Sequence, residues 1–303
     1  MRTWARAVGS RARARLVAVS VAVACSAVAG AAPLSAAPSL YAPSRHVVVV
    51  VMENRPYASV MADPTLARLA RRGGLATNYD AVSHPSLPNY LALSGGSTFG
   101  VSSDCVTCYV AAPNLFTQLA AAGVTFDAYL EGAPTPCYLA PWGGNDYAAK
   151  HNPFRYFNDV RASRSLCSHL RPSGDLARVL ARPAAAVPHF IWVTPNLCHD
   201  GHDCSTSEAA AWLSGFVARV TASAAYRAGG VLIITWDEGV GSAGGGGQVA
   251  TMVLSPSVAP GTRVAAPLTH YSLLATIEDI FGLSRLAHAR GARTFAPFFS
   301  ASG

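Results

Sequence analysis

The run "HVVVVVMENRP" at residues 46–56 limits the possible folds of this chain more than any other stretch. Five consecutive valines cannot alternate apolar and polar faces. As a strand the run must be covered on both sides, the situation of parallel sheets flanked by helices. β-Branching favours a strand over a buried helix, and Glu53-Asn54-Arg55-Pro56 ends it. In open α/β sheets, ligands gather at the carboxyl ends of such strands. Glu53 and Asn54 therefore stand where a ligand would be held.

Further apolar, β-rich runs recur at 124–130, 189–194, 231–236 and 250–254. Helical patterns lie between the strands at 65–72, 114–122, 209–223 and 272–281, the second and fourth closed by Gly123 and Gly282. This alternation predicts an α/β fold, a three-layer αβα sandwich on a mostly parallel central sheet. With no repeat and no long polar linker, residues 38–303 read as a single domain. The stretch "GVGSAGGGGQ" at 239–248 reads as a mobile loop. It lacks the Gly-Lys-Ser/Thr ending of a phosphate-cradling loop.

The first 37 residues read as a secretory signal peptide. Arg2, Arg6, Arg11, Arg13 and Arg15 precede the apolar "LVAVSVAVACSAVAGAA", with cleavage expected after Ala31 or near Ala37. The expected location is secreted or extracytoplasmic. The alternatives are a transmembrane anchor, against which the short, Ala-rich run argues, and a lipid-modified Cys25. Removing five uncompensated arginines takes the charge from +7 to about +2, so the basic balance does not point to nucleic acid. No later segment is apolar enough for a permanent membrane span. Six cysteines remain, an even number that suits disulfides in an oxidising compartment. Sequence proximity favours Cys105–Cys108, Cys137–Cys167 and Cys198–Cys204.

A second strand ends as the first does: "GVLIITWDEG" delivers Asp237 and Glu238. Carboxylates crowded at one sheet edge repel unless a cation sits among them, and an all-oxygen set suits a hard divalent ion. Either pair alone could equally cap the following segment. Between them, in "SHPSLPNYLALSGG" at 83–96, Pro85 and Pro88 bracket Ser86 at the start of a helix. Amides and the helix dipole there favour an anion, and a serine becomes a nucleophile if its alkoxide is stabilised. The third cluster, "TPNLCHDGHDCS" at 194–205, gathers Asn196, His199, Asp200, His202 and Asp203. It suits acid–base work or phosphate contact, zinc through His199 and His202, or plain loop polarity. In "KHNPFRY", His151 stands near Lys150 and Arg155 and suits oxyanion binding, or a surface loop.

Taken in order, "MENR", "HPSLPNYLALSGG", "KHNPF", "PNLCHDGHDC" and "TWDEG" closely resemble the bacterial phosphoesterase family. That family holds secreted acid phosphatases and phospholipases C of the alkaline-phosphatase-like superfamily. "THYSLLATIEDIFGL" at 269–283 resembles its C-terminal helix, so the likeness runs over nearly all of the expected mature chain. The form is most similar to compact actinobacterial acid phosphatases, some of which act on phosphatidylinositol phosphates.

The resemblance implies that Glu53, Asn54, Asp237 and Glu238, with Ser86, bind one divalent metal (Ca, Mg, Mn or Zn). It implies that Ser86 is phosphorylated, and that His151, His199 and His202 touch phosphate or protonate the leaving group. Asn89 and Asn196 join as substrate contacts, Asn89 otherwise steadying the turn. The expected function is a secreted, metal-dependent phosphomonoesterase of acid-phosphatase type, with a phosphate ester, phosphoinositide or phospholipid headgroup as partner. A phospholipase C or other phosphodiesterase with the same serine and metal is the alternative.

Two departures stand out. "SEAAAWL" has Ala210 and Ala211 where related chains often carry Gly-Asp, leaving Glu208 as a stand-in. Two-zinc relatives present Asp-His-Gly where this chain has Asp237-Glu238-Gly239, which favours one harder metal. A sulfatase is disfavoured, because the segment after Ser86 lacks that class's arginine. A binding module on an inactive scaffold is disfavoured too, because no ligand position is missing.

Overall fold

The structure, a computed structural model, describes residues 46–144 and 146–300. The signal peptide expected over 1–37, and Cys25 with it, lie outside the described residues. The described strands are β1 (Val47–Met52), β2 (Gly74–Ala76), β3 (Tyr79–Asp80), β4 (Phe126–Leu130), β5 (Leu170–Pro172), β6 (Phe190–Thr194), β7 (Val231–Trp236), β8 (Thr251–Leu254), β9 (Thr262–Val264) and β10 (Leu268–Thr269). Eight of them form one sheet in the order β5-β4-β6-β1-β7-β8-β2-β9. In that sheet only β8 runs antiparallel to its neighbours. β3 and β10 pair separately.

The valine run becomes β1, at the middle of the sheet, with β6 and β7 parallel on either side and every residue buried. Burying one such side chain fully contributes roughly 1.5–3 kcal/mol, which is why no polar residue interrupts the run. The five expected strands lie within two residues of their predicted bounds. The additional strands are two or three residues long, too short to show a period, and pairing with a neighbour defines them.

Helix Ser86–Gly95 packs on helix His270–Phe281, and helix Pro64–Arg72 packs on helix Thr206–Thr221. The last of these begins earlier than the apolar pattern indicated, because Ser205 and Glu208 form a reciprocal capping box. Glu208 is exposed and holds the helix start, so it does not stand in for an acid within a site. The three disulfides pair as proximity suggested. No described helix is long and apolar enough to cross a membrane.

The glycine-rich loop at 239–248 is tied down by its backbone. Ala81 N donates to Gly247 O at 2.9 Å, and Gly246 N donates to Ala81 O at 3.1 Å. Composition suggested mobility; the glycines instead permit a close backbone approach.

Candidate active site

β1 and β7 are in register to their last residues, Met52 opposite Trp236, so the residues that follow emerge side by side. Asp237 N donates to Met52 O at 2.9 Å, and Asn54 N donates to Asp237 Oδ1 at 2.9 Å. Asn54 takes a φ of 49° to do so, a left-handed conformation that asparagine tolerates. Ser86 opens the helix Ser86–Gly95 and is buried, with its Oγ donating to Glu53 Oε2 at 3.1 Å. The Asp237 carboxylate lies near enough for the Ser86 hydroxyl to lower its pKa. Three chain segments therefore meet at one hydroxyl.

Beneath this point lies His151, also buried. Its Nε2 is 3.1 Å from Glu53 Oε1 and its Nδ1 is 3.2 Å from Asp200 Oδ2, while its ring stacks on Tyr90 with centroids 5.3 Å apart. Tyr90 Oη donates to Glu53 Oε1 at 2.7 Å, and His202 N donates to Asp200 Oδ1 at 2.7 Å. Burial, then the charges of Asp237 and Asp200, push Glu53 well above the usual carboxylate range. Burial, then Glu238, raises Asp237 to about 6, and burial raises Asp200 to about 7. Burial drives the His151 imidazole down to about 3, so it stays neutral at physiological pH.

Among the described residues these acids form no ion pair with a lysine or arginine; Lys150, whose charge reaches Glu53 and Asp200, is paired with Asp104. Asp237 Oδ2, Asp200 Oδ2 and His151 Nε2 are buried without a partner in hydrogen-bond geometry, the last two despite the close approach of His151 to Glu53 and Asp200. Orphaned acceptors beside mutually repelling carboxylates fit a divalent cation, which would complete them. The residues that could hold it are Glu53, Asp237 and Ser86, with Glu238 next to Asp237 and Asn54 at the rim. Glu53, His151 and Asp200 offer ligand atoms within 4.8 Å of one another, a second cradle that shares Glu53. Cys198, Cys204 and Glu208 also lie close together, but the two cysteines are joined in a disulfide.

The histidine loop separates its two imidazoles. His199 Nδ1 meets Glu131 Oε2 at 2.9 Å, and its ring stacks on Trp212. His202 Nδ1 meets Asp203 Oδ1 at 2.6 Å, and its ring centroid is 5.8 Å from that of His151. The two rings engage different carboxylates, and among the described residues no group of close metal-ligand atoms contains both. His202 is the one beside the buried cluster. Asn196 Oδ1 accepts from His199 N at 2.8 Å and so braces this loop. Asn89 acts on the nucleophile turn: its Oδ1 accepts from Val82 N and Ser83 N, both at 3.0 Å, and its Nδ2 donates to Ser83 O and Pro85 O. The anion site expected at the helix start is partly taken, because Leu87 N donates to Asp104 Oδ1 at 2.9 Å. His151, expected to touch phosphate, is instead packed below the acids.

Residues 61–284 match the sequence profile described as the Phosphoesterase family. The chain belongs to the phosphoesterase family. A phosphatidylinositol-3-phosphatase of Mycobacterium tuberculosis is 35% identical over 253 residues, covering 82% of this chain and 80% of that protein. A phosphate-repressible acid phosphatase of Penicillium chrysogenum is 29% identical, over 79% of this chain and 59% of the fungal protein. The chain thus spans little more than half of that second relative. Among solved structures, a protein of the alkaline phosphatase superfamily from Vibrio parahaemolyticus superimposes with a TM-score of 0.53 at 12% identity, over 82% of this chain and 69% of that one. At that identity the likeness is one of fold.

In this phosphoesterase, several site residues went unread in the sequence. Tyr90 lies four residues after Ser86, one helical turn along, and that spacing was a usable signal. Asp104 carried none: it sits in an irregular loop, yet its Oδ2 accepts from Lys150 Nζ at 3.0 Å. Lys150 Nζ also lies 3.3 Å from His202 Nε2. Asp104, Val106, Pro141, Trp142, Ala149 and Lys150 line a cavity of about 220 Å³. Trp142 is its exposed wall.

Proposed function

We propose that this phosphoric ester hydrolase is a metal-dependent phosphomonoesterase, acting through a phosphorylated Ser86 on substrates that include phosphoinositide headgroups. The observation that carries the reading is the 3.1 Å contact of Ser86 Oγ with Glu53 Oε2, at a point shared with Asp237. Glu53, Asp237 and Glu238 would hold a divalent cation, which when bound would supply positive charge at the place where the phosphate ester reacts.

Ser86 Oγ attacks phosphorus and passes its proton to Glu53. The bond from phosphorus to the leaving oxygen breaks, and that oxygen takes a proton from His202. Water then gives a proton to His202 as it attacks the phosphoserine, the bond from phosphorus to Ser86 Oγ breaks, inorganic phosphate departs, and Ser86 takes its proton back from Glu53. Lys150, beside His202, favours the two charges of a monoester, and the cavity walled by Trp142 receives the leaving group. An imidazole acid must carry its proton, so turnover favours acidic to neutral pH. The 35% identity to a phosphatidylinositol-3-phosphatase supports a phosphoinositide as substrate. Three disulfides support work in an oxidising compartment, hence secretion.

The test compares p-nitrophenyl phosphate, its bis-ester and phosphatidylcholine as substrates, with Ser86→Ala alongside. Monoester preference, and loss of turnover by several orders of magnitude in the variant, are expected. Preference for the bis-ester or for phosphatidylcholine would replace this reading with a phosphodiesterase. Full activity of Ser86→Ala would remove the covalent route.

A further inference from the structure

His84 stands two residues before Ser86, and its side chain leaves the nucleophile turn for the end of β7. There Nδ1 lies 2.5 Å from Glu238 Oε2, and Nε2 lies 2.8 Å from the carbonyl oxygen of Gly241. One ring thus joins the segment that presents the nucleophile to the segment that presents Asp237 and Glu238. The Glu238 side chain is only 7% exposed, whereas that of His84 is 41% exposed. The carboxylate is therefore largely removed from water, and the imidazole is its main polar neighbour on that side. With Oε2 engaged, Oε1 is the oxygen left for a cation.

The Gly241 carbonyl is itself held in place. Gly239 N donates to Gly246 O at 2.8 Å, folding the loop back on itself, and Gly246 and Gly247 exchange hydrogen bonds with Ala81. This contact needs backbone without side chains. A Cβ on Gly245 would lie 2.3 Å from Val82 O, one on Gly246 2.3 Å from Ser83 O, and one on Gly247 2.4 Å from Val240 O. Gly245 and Gly247 also hold φ of +108° and +81°, where a side chain adds strain. Val82 and Ser83, the floor beneath the glycine run, are the two residues whose amides Asn89 holds. The path closes on itself: nucleophile turn, His84, Glu238, glycine loop, nucleophile turn.

We propose that His84 is a positioning residue that fixes the Glu238 carboxylate for a divalent cation, with the glycine run at 244–247 holding the carbonyl that anchors the imidazole. This rests on the reading of Glu238 as a metal ligand. Partners that orient a metal's ligands from outside typically change affinity by about 10- to 100-fold when removed.

The test titrates the metal-stripped full chain with Mg²⁺, Ca²⁺, Mn²⁺ and Zn²⁺ separately in a calorimeter, following the tightest binder, and records kcat, KM and the metal-free melting temperature. His84→Ala is expected to weaken that affinity by roughly 10- to 100-fold. Its kcat should recover as the metal concentration is raised, with KM and metal-free melting near wild type. His84→Asn, whose amide takes the place of Nδ1, should restore most of the affinity. His84→Gln, whose amide reaches toward Gly241 instead, should not. Gly245→Val, with His84 intact, should lose affinity as His84→Ala does.

Wild-type affinity in His84→Ala, with affinity lost in Asp237→Asn, overturns the role of His84 and leaves the metal site standing. Unchanged affinity in both variants overturns both. If His84→Ala fails to fold, the Asn and Gln variants decide, and equal affinity in that pair overturns the proposal.

Discussion

Tyr90 and Ser86, one helical turn apart, hold opposite oxygens of a single carboxylate. Tyr90 Oη donates to Glu53 Oε1 at 2.7 Å, and Ser86 Oγ donates to Glu53 Oε2 at 3.1 Å. The phenol fixes the carboxyl plane, so the second oxygen faces the nucleophile. His151, stacked on the Tyr90 ring, closes the pocket from below.

Tyr90→Phe keeps the ring and the stacking while removing the donor. A buried carboxylate that loses a hydrogen bond costs about 1–3 kcal/mol, and Glu53 becomes free to rotate away from Ser86. The expected outcome is a kcat lower by roughly 10- to 100-fold, the scale of losing about 1.4–2.8 kcal/mol of positioning, with little change in KM. Steady-state kinetics and thermal melting check it. A KM increase with kcat intact would make Tyr90 a substrate contact instead.

Lys150 joins Asp104, at the start of the nucleophile helix, to His202 on the far loop. Burial acts to lower its pKa, but the Asp104 hydrogen bond and charge outweigh it, so the ammonium is held protonated. Lys150→Met removes one positive charge from the substrate's approach. kcat/KM for p-nitrophenyl phosphate should fall by roughly tenfold or more, the size of one charge-assisted hydrogen bond. The wild-type rate should fall with added salt more steeply than the variant's. Equal salt slopes would show that Lys150 only braces Asp104.

Glu278, in the helix that packs on the nucleophile helix, gives a pH prediction away from the acids of the site. Burial raises its pKa to about 7; its Oε1 accepts from Leu286 N, while Oε2 has no partner. Because the folded value lies above the usual one, the folded state favours the protonated form. Stability is greatest below the ordinary glutamate pKa and is lost as pH rises through about 7. Glu278→Gln carries a donor where Gln118 Oε1 has none. The variant should melt higher than wild type at pH 8 by a few degrees, at about 2–4 °C per kcal/mol for a domain of this size, and no higher at pH 4. Melting curves at both pH values decide it.

The contrast between what could be read and what could not follows a physical line. β1 and β7 announce themselves because strands covered on both faces need unbroken apolar runs, and the residues ending those runs, Glu53 and Asp237, meet at Ser86 as their place predicted. β2 is three residues long and lies one strand in from the sheet's edge, held by β8 and β9, so only its partners make it a strand. Asp104 and Lys150 meet because two irregular loops fold onto the same helix start, and no spacing encodes that. The sequence around His151 suggested an exposed oxyanion contact because basic residues flank it. Its burial comes from tertiary packing between Tyr90, Glu53 and Asp200, which is invisible along the chain.

Stripping the metal should destabilise the protein in a pH-dependent way. Without a cation, burial raises Glu53, Asp200 and Asp237, Asp237 to about 6 and Asp200 to about 7, and the charges of Asp237 and Asp200 push Glu53 up further. A raised folded-state value means the metal-free fold is most stable where these acids are protonated. That stability drains away as pH rises from the ordinary carboxylate range through about 7. A bound cation offsets the repulsion and removes the loss. The difference in melting temperature between metal-loaded and chelator-treated protein should therefore be small near pH 4 and widen up to pH 8. Asp237→Asn, with one charge fewer, should narrow it at pH 8. A gap that stays constant with pH would show that the cation acts elsewhere than among these three acids.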